Sequence, residues 1–158
     1  MSLEEKVVEI LTQKGWKIAF SESCTGGLCA ATLVNVANAS AVLDESYVTY
    51  ANEAKIKLVN VSEETISANG VVSEEVAFEM ATGTAQAANA NVGVGVTGIA
   101  GPGGATATKP VGMVCFGFCV NGECKTYTKQ FGAIGRQQVR AASVNFVYET
   151  LIELLNNA

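Results

Sequence analysis

The 158-residue chain contains no histidine. That absence removes the imidazole base of a Ser–His–Asp or Cys–His arrangement. It also leaves a zinc site only cysteines and carboxylates, an uncommon donor set. The five cysteines, Cys24, Cys29, Cys115, Cys119 and Cys124, include no CxxC pair. They read as reduced, mostly buried thiols. Basic residues are scarce: 10 Lys and Arg stand against 15 Asp and Glu, a net charge of −5. No basic patch is visible, which argues against a nucleic-acid partner. A small anionic ligand stays open, because it needs only one or two local cations and some backbone N–H groups. No apolar run approaches the roughly 18 residues of a spanning helix, so no membrane association is expected. The start, MSLEEKVVEIL, is acidic and amphipathic and lacks the basic and apolar segments of a signal peptide. A cytoplasmic protein is expected.

What is present is a compact composition: 49% hydrophobic and 16% charged. With that length it predicts one domain over residues 1–158, large enough for a real core. Leu3, Val7, Val8, Ile10 and Leu11 recur at helical spacing and Gly15 follows as a stop. Lys17 to Ser21 reads as a strand. Thr25 reads as the N-cap of a helix to about Val34. Residues 46–51, SYVTYA, read as a second strand, with Asn52 capping a short helix through Leu58. A small helical turn from Ser62 stops at Gly70, and Ser73 opens a longer helix to about Ala90. Val92 to Val96 is a strand whose glycines permit close backbone packing. A glycine-rich loop, GIAGPGGATATKP, fills 98–110. Two strands flank Asn121-Gly122, a strong hairpin signal. A helix from about Arg136 to Leu155 ends the pattern. The alternation predicts a three-layer α/β/α sandwich with a mixed, mostly parallel sheet and one antiparallel hairpin. Ligands in such sheets bind beyond the carboxyl ends of parallel strands. Ser21 to Gly27, Tyr50 to Lys55 and Thr97 to Gly104 all follow strands and converge on one edge.

The stretch SESCTGG at 21–27 concentrates reactive and permissive groups at a strand-to-helix turn. Ser23 can point outward there as a nucleophile, with helix N–H groups offered to an oxyanion. Local sequence alone favours plain capping, since the turn is not GxSxG and no histidine exists. Cys24 is a rival nucleophile, ranked below Ser23 because cysteine is so often simply buried. For a base, a lysine that is neutral part of the time can replace histidine. Lys55 is the best placed: near a helix N-terminus, whose dipole disfavours a second positive charge, and open to partial burial. Lys57 and Lys109 are less attractive. The glycine loop is no Walker or dinucleotide motif, but its N–H groups suit a phosphate or ribose. Arg136 and Arg140 share one helical face and suit a phosphate, or stand solvated.

Together, ESCTGG at 22–27, YANEAK at 50–55, GVVSEEVA at 70–77, TGIAGPGG at 97–104 and KPVG at 109–112 resemble the CinA C-terminal domain family. Its characterised members are nicotinamide-nucleotide amidases. The blocks keep the family's order across nearly the whole chain. The resemblance implies hydrolysis of the carboxamide of nicotinamide mononucleotide to nicotinate mononucleotide and ammonia. It implies Ser23 as nucleophile, Lys55 as base and Tyr50 in support. It places Thr25, Gly26, Gly27, Asn52, Thr97, Gly98, Gly101, Arg136 and Arg140 at the substrate. It implies no cofactor, no metal, a small-molecule nucleotide substrate and a homo-oligomer. The family's larger proteins carry an additional N-terminal domain, and a stand-alone domain is expected here. Three departures touch the substrate-orienting parts. Ser21 replaces the usual Ala. GPGGATATKPVG stands where members commonly read GPDGGTPEKPVG. The GDR before the last helix is replaced by Gly132-Ala133-Ile134-Gly135-Arg136. They define the alternative: a non-catalytic or differently specific paralogue that binds a nucleotide-like ligand.

Overall fold

A computed structural model of the chain describes residues 1–158. Five strands form one mixed sheet in the order β2-β1-β3-β4-β5. They are β1 (Ile18–Glu22), β2 (Tyr47–Val48), β3 (Val92–Gly98), β4 (Met113–Val120) and β5 (Glu123–Gln130). β1 pairs in parallel with β2 and β3, and β4 is antiparallel to both β3 and β5. Four strands therefore point one way and β4 alone runs against them. Six α-helices cover the sheet: α1 (Leu3–Lys14), α2 (Leu28–Leu33), α3 (Asn52–Val59), α4 (Glu63–Asn69), α5 (Glu74–Ala87) and α6 (Arg136–Asn156).

Side-chain alternation sorts the two faces. Even-numbered residues of the central strands (Ile18, Phe20, Val92, Val94, Val96, Val114, Phe116, Phe118) enter the main core. There they meet Val7 and Leu11 of α1 and Val147, Tyr148 and Leu151 of α6. On the odd-numbered face sit Gly93, Gly95 and Gly117, and α5 lies directly on them. A Cβ at Gly93 would come within 2.2 Å of Ala81 O, and one at Gly117 within 2.1 Å of Ala77 O. The glycines of VGVGV thus bring α5 against the sheet backbone. α5 is approached as closely on its outer side, where a Cβ at Gly83 would lie 1.7 Å from Val59 O at the end of α3. Gly83→Ala must therefore push α3, the helix that carries Lys55, away from α5. We expect a loss of about 3 kcal/mol and a fall of roughly 6–12 °C in the thermal midpoint, read by circular dichroism. An unchanged midpoint would show that the two helices separate at no cost.

Several local expectations are corrected. Thr25 does not cap α2; Gly27 holds the N-cap position with φ 99°. Asn52 is the first residue of α3 and Ala51 its N-cap, so Lys55 is the fourth helical residue, not the third. The strand expected over 46–51 is only Tyr47–Val48. The thiols are not all reduced: Cys119 and Cys124, opposite each other on β4 and β5, form a disulfide, while Cys24, Cys29 and Cys115 are free and buried. No helix is long and apolar enough to cross a membrane.

Candidate active site

β1, β2, β3 and β5 all end at the same edge of the sheet. The segments that follow them (Ser23–Gly27, Thr49–Lys55, Ile99–Gly101 and the start of α6) meet there, as open α/β sheets require. Ser23 N–H continues the β-ladder by donating to Val96 O at 3.0 Å. Its side chain is half-buried and lies 3.2 Å from Lys55 Nζ.

Lys55 is a cation's side chain in a place unsuited to a cation. It is 1% exposed. It donates to Thr49 O at 2.7 Å and to Tyr50 O at 3.3 Å. No carboxylate pairs with it; the chain's single ion pair is Lys17–Asp44 at the surface. Burial lowers the Lys55 pKa from its ordinary 10.5 to about 8. A Cys24 thiolate would oppose that shift, but burial pushes Cys24 up to about 12, so the thiol is protonated wherever Lys55 titrates. The same burial disfavours Cys24 as a nucleophile. A neutral amine has two N–H donors and one lone pair. Two carbonyls take the donors, and the lone pair is left for the Ser23 hydroxyl.

Glu22 organises the turn from below, and its part escapes local sequence reasoning. Its carboxylate is fully buried, and accepts from Cys29 N–H at 2.8 Å and Ala30 N–H at 3.1 Å. These are the N–H groups of α2 expected to face an oxyanion; Glu22 occupies them. Ala31 N–H donates to Gly27 O and Leu28 N–H to Thr25 O. What remains without a carbonyl partner is the turn's own N–H groups, those of Cys24, Thr25 and Gly27. The signal for Glu22 lay in the sequence as a carboxylate directly after the run IAFS, which must find donors when buried.

Arg136, first residue of α6, donates through Nη1 to Gly101 O at 2.7 Å and through Nη2 to Tyr50 Oη at 2.9 Å. It ties the glycine loop to the tyrosine, whose own carbonyl holds Lys55. Arg140, one turn along, donates from Nε to Cys24 O and from Nη2 to Thr25 O, each at 3.0 Å. Thr25 is buried with its hydroxyl unpartnered, as is that of Thr49. Gly26 is exposed beside Arg140. Asn52 is exposed and its side chain makes no hydrogen bond. Thr97 turns its hydroxyl to Val71 O at 3.0 Å, on the α5 side of the sheet. Gly98 packs on Val114 at the end of β3. The structure thus joins Ser23, Lys55, Tyr50, Arg136 and Gly101 through hydrogen bonds. Asn52, Thr97 and Gly98 lie outside that network. A separate hollow over α4 and α5 is bounded by Glu74, Glu75 and Glu79 and would repel an anion.

A family model for the CinA C-terminal domain matches residues 1–155. A CinA-like protein of Kosmotoga olearia is 47% identical over 148 residues, covering 94% of this chain and 36% of the relative. A CinA-like protein of Chloroherpeton thalassium is 44% identical, covering 96% of this chain and 38% of the relative. The chain therefore spans little more than a third of the length of these curated relatives. Among solved structures, competence/damage inducible protein CihA from Agrobacterium tumefaciens superposes with a TM-score of 0.93 at 42% identity, covering 98% of this chain and 93% of that one. A CinA superfamily protein from Klebsiella pneumoniae does so with a TM-score of 0.93 at 33% identity, covering both chains completely. With a match over nearly its whole length in sequence and in structure, this chain belongs to the CinA C-terminal domain family.

Proposed function

We propose that the protein hydrolyses the carboxamide of nicotinamide mononucleotide by a Ser–Lys mechanism. The observation that carries this reading is Lys55: buried, without a counter-ion, its N–H groups taken by two carbonyls and its nitrogen 3.2 Å from Ser23 Oγ. Ser23 Oγ attacks the amide carbon as its proton passes to Lys55 Nζ. The carbonyl oxygen becomes an oxyanion, for which the unpartnered N–H groups of the Ser23–Gly27 turn are the available donors. Lys55 returns the proton to the amide nitrogen, the C–N bond breaks and ammonia leaves. Water then attacks the acyl-Ser23 ester, giving its proton to Lys55. The C–Oγ bond breaks, Ser23 recovers the proton, and nicotinate mononucleotide is released.

We assign the substrate phosphate to Arg136 and the start of α6. The N–H groups of Arg136, Gln137 and Gln138 have no acceptor, and Gly135 at the N-cap supplies no side chain to occupy them. An anion is stabilised at such an end. Gly135 also stands immediately before Arg136, where GDR would place an aspartate. The lost carboxylate removes a competitor for the same donors. Tyr50 orients Arg136 and, through its carbonyl, Lys55.

Purified protein is expected to release ammonia from nicotinamide mononucleotide. Arg136→Ala should raise KM for the mononucleotide roughly 10- to 150-fold, the worth of one charge-assisted bond. It should change KM little for nicotinamide riboside, which lacks the phosphate. Absence of ammonia release from a folded wild-type protein refutes the reading. Equal losses on both substrates refute the phosphate assignment.

A further inference from the structure

We infer that Arg140 is a positioning residue for the nucleophile turn and not a ligand of the substrate phosphate. The inference rests on the amidase reading only for its choice of assay. Arg140 is half-buried, and its Nε and Nη2 reach two successive carbonyls, Cys24 O and Thr25 O, each at 3.0 Å. A rigid guanidinium fork spans two acceptors in a fixed geometry, and an ammonium does not. The peptide between Cys24 and Thr25 is planar and trans, so its N–H points away from the carbonyl that Arg140 grips. That N–H, of Thr25, is one of the three in the turn with no carbonyl acceptor. Arg140 therefore fixes its direction. By placing positive charge on the carbonyl of the same amide, it also makes the N–H a stronger donor.

The turn is held from its other side by Glu22, whose carboxylate takes the first inward N–H groups of α2. Glu22 holds donors and Arg140 holds acceptors, across the five residues that carry Ser23. Two charged groups thus act on the turn without touching each other or the reacting atoms. Arg140 donates from two of its three nitrogens into the protein and none of its bonds faces the Arg136–Gly101–Tyr50 group. The two arginines, four residues apart on one helix, serve different ends of the site.

The experiment compares wild type with Arg140→Lys by three readings. These are kcat for ammonia release, inhibition by ribose 5-phosphate as a probe of the phosphate site, and the rate at which a fluorophosphonate labels Ser23. Arg140→Lys should lose about 10- to 100-fold in kcat and in labelling rate, while the inhibition constant stays within twofold. A tenfold rise in that constant would overturn the inference by making Arg140 a phosphate ligand. Undiminished kcat and labelling would overturn it by making the two bonds merely structural. Labelling needs no substrate, so a wild type that labels but releases no ammonia refutes the substrate and still decides Arg140. Should Arg140→Lys fail to fold, Arg140→Ala with millimolar guanidinium supplies the second test. Restoration of the labelling rate supports positioning, and no restoration opposes it.

Discussion

Ser23→Ala is expected to lose ammonia release by about 10^4-fold or more while keeping the fold. The size follows from removing the attacking atom of a unit that works together. Preservation of the fold follows from what the hydroxyl does in the resting protein. Its one hydrogen bond is with Lys55 Nζ. It caps no helix, since α2 is capped through Gly27 and Glu22. The lost bond is worth about 1 kcal/mol. Above pH 8, where Lys55 is a neutral amine with two N–H groups, it keeps both of its carbonyl acceptors in the variant and no buried donor is orphaned. Turnover and the denaturation midpoint, measured on one preparation, check both halves. Near wild-type turnover in a folded Ser23→Ala protein would move the nucleophile elsewhere. The thiol of Cys24 would then be the next candidate, and iodoacetamide would abolish that turnover quickly. The structure opposes that outcome, because Cys24 is 5% exposed and its thiol is pushed up to about 12 by burial.

The outline of this site was legible where the signal is local. Gly15 ends α1 with φ 67°, and Asn121-Gly122 turns the hairpin with φ 50° and 91°, both conformations that those residue types tolerate. The glycines of β3 do allow α5 onto the sheet. The Ser23–Lys55 pair was read from a motif and from the missing histidine, and both residues meet. What was not legible depends on partners distant in sequence. Thr25 and Asn52 looked like caps because their types are right. Gly27 and Ala51 hold those N-cap places, and the Glu22 carboxylate at the end of β1 takes the free N–H groups of α2. From sequence the helix dipole shares in the Lys55 shift; in the structure desolvation drives it, and burial of one lysine under two loops is a tertiary fact. The Cys119–Cys124 pair was within reach. A two-residue turn at 121–122 sets Val120 opposite Glu123 and Cys119 opposite Cys124. Reading the hairpin register through to its second pair would have found it. The division of labour between Arg136 and Arg140 was not within reach, since helical spacing puts both on one face and only the approach of two different loops separates them.

Lys55 supplies the other large effect. Its pKa of about 8 predicts that kcat/KM for the mononucleotide rises with pH along a single limb with an apparent pKa near 8. Below it the ammonium has no lone pair for the Ser23 proton. Lys55→Arg keeps the charge and cannot be deprotonated, so it should lose activity as fully as Lys55→Met, by about 10^4-fold. The same shift has a thermodynamic face with a definite sign. The folded lysine releases its proton near 8 and the unfolded one near 10.5, so between those values the unfolded chain binds more protons and stability rises with pH. The contribution of this group is smallest below pH 8 and about 3 kcal/mol larger above 10.5. Buried Cys24, Cys29 and Tyr148, whose pKa values are all raised, tilt the total the other way in alkali. The difference between wild type and Lys55→Met, taken from denaturant titrations at pH 7.5 to 10.5, removes those terms and isolates the lysine. Lys55→Met should be the more stable protein at the low end, with the gap closing as pH rises. A gap that stays constant, together with substantial turnover in Lys55→Arg, would show that Lys55 is charged in the folded protein and would take it out of the base role.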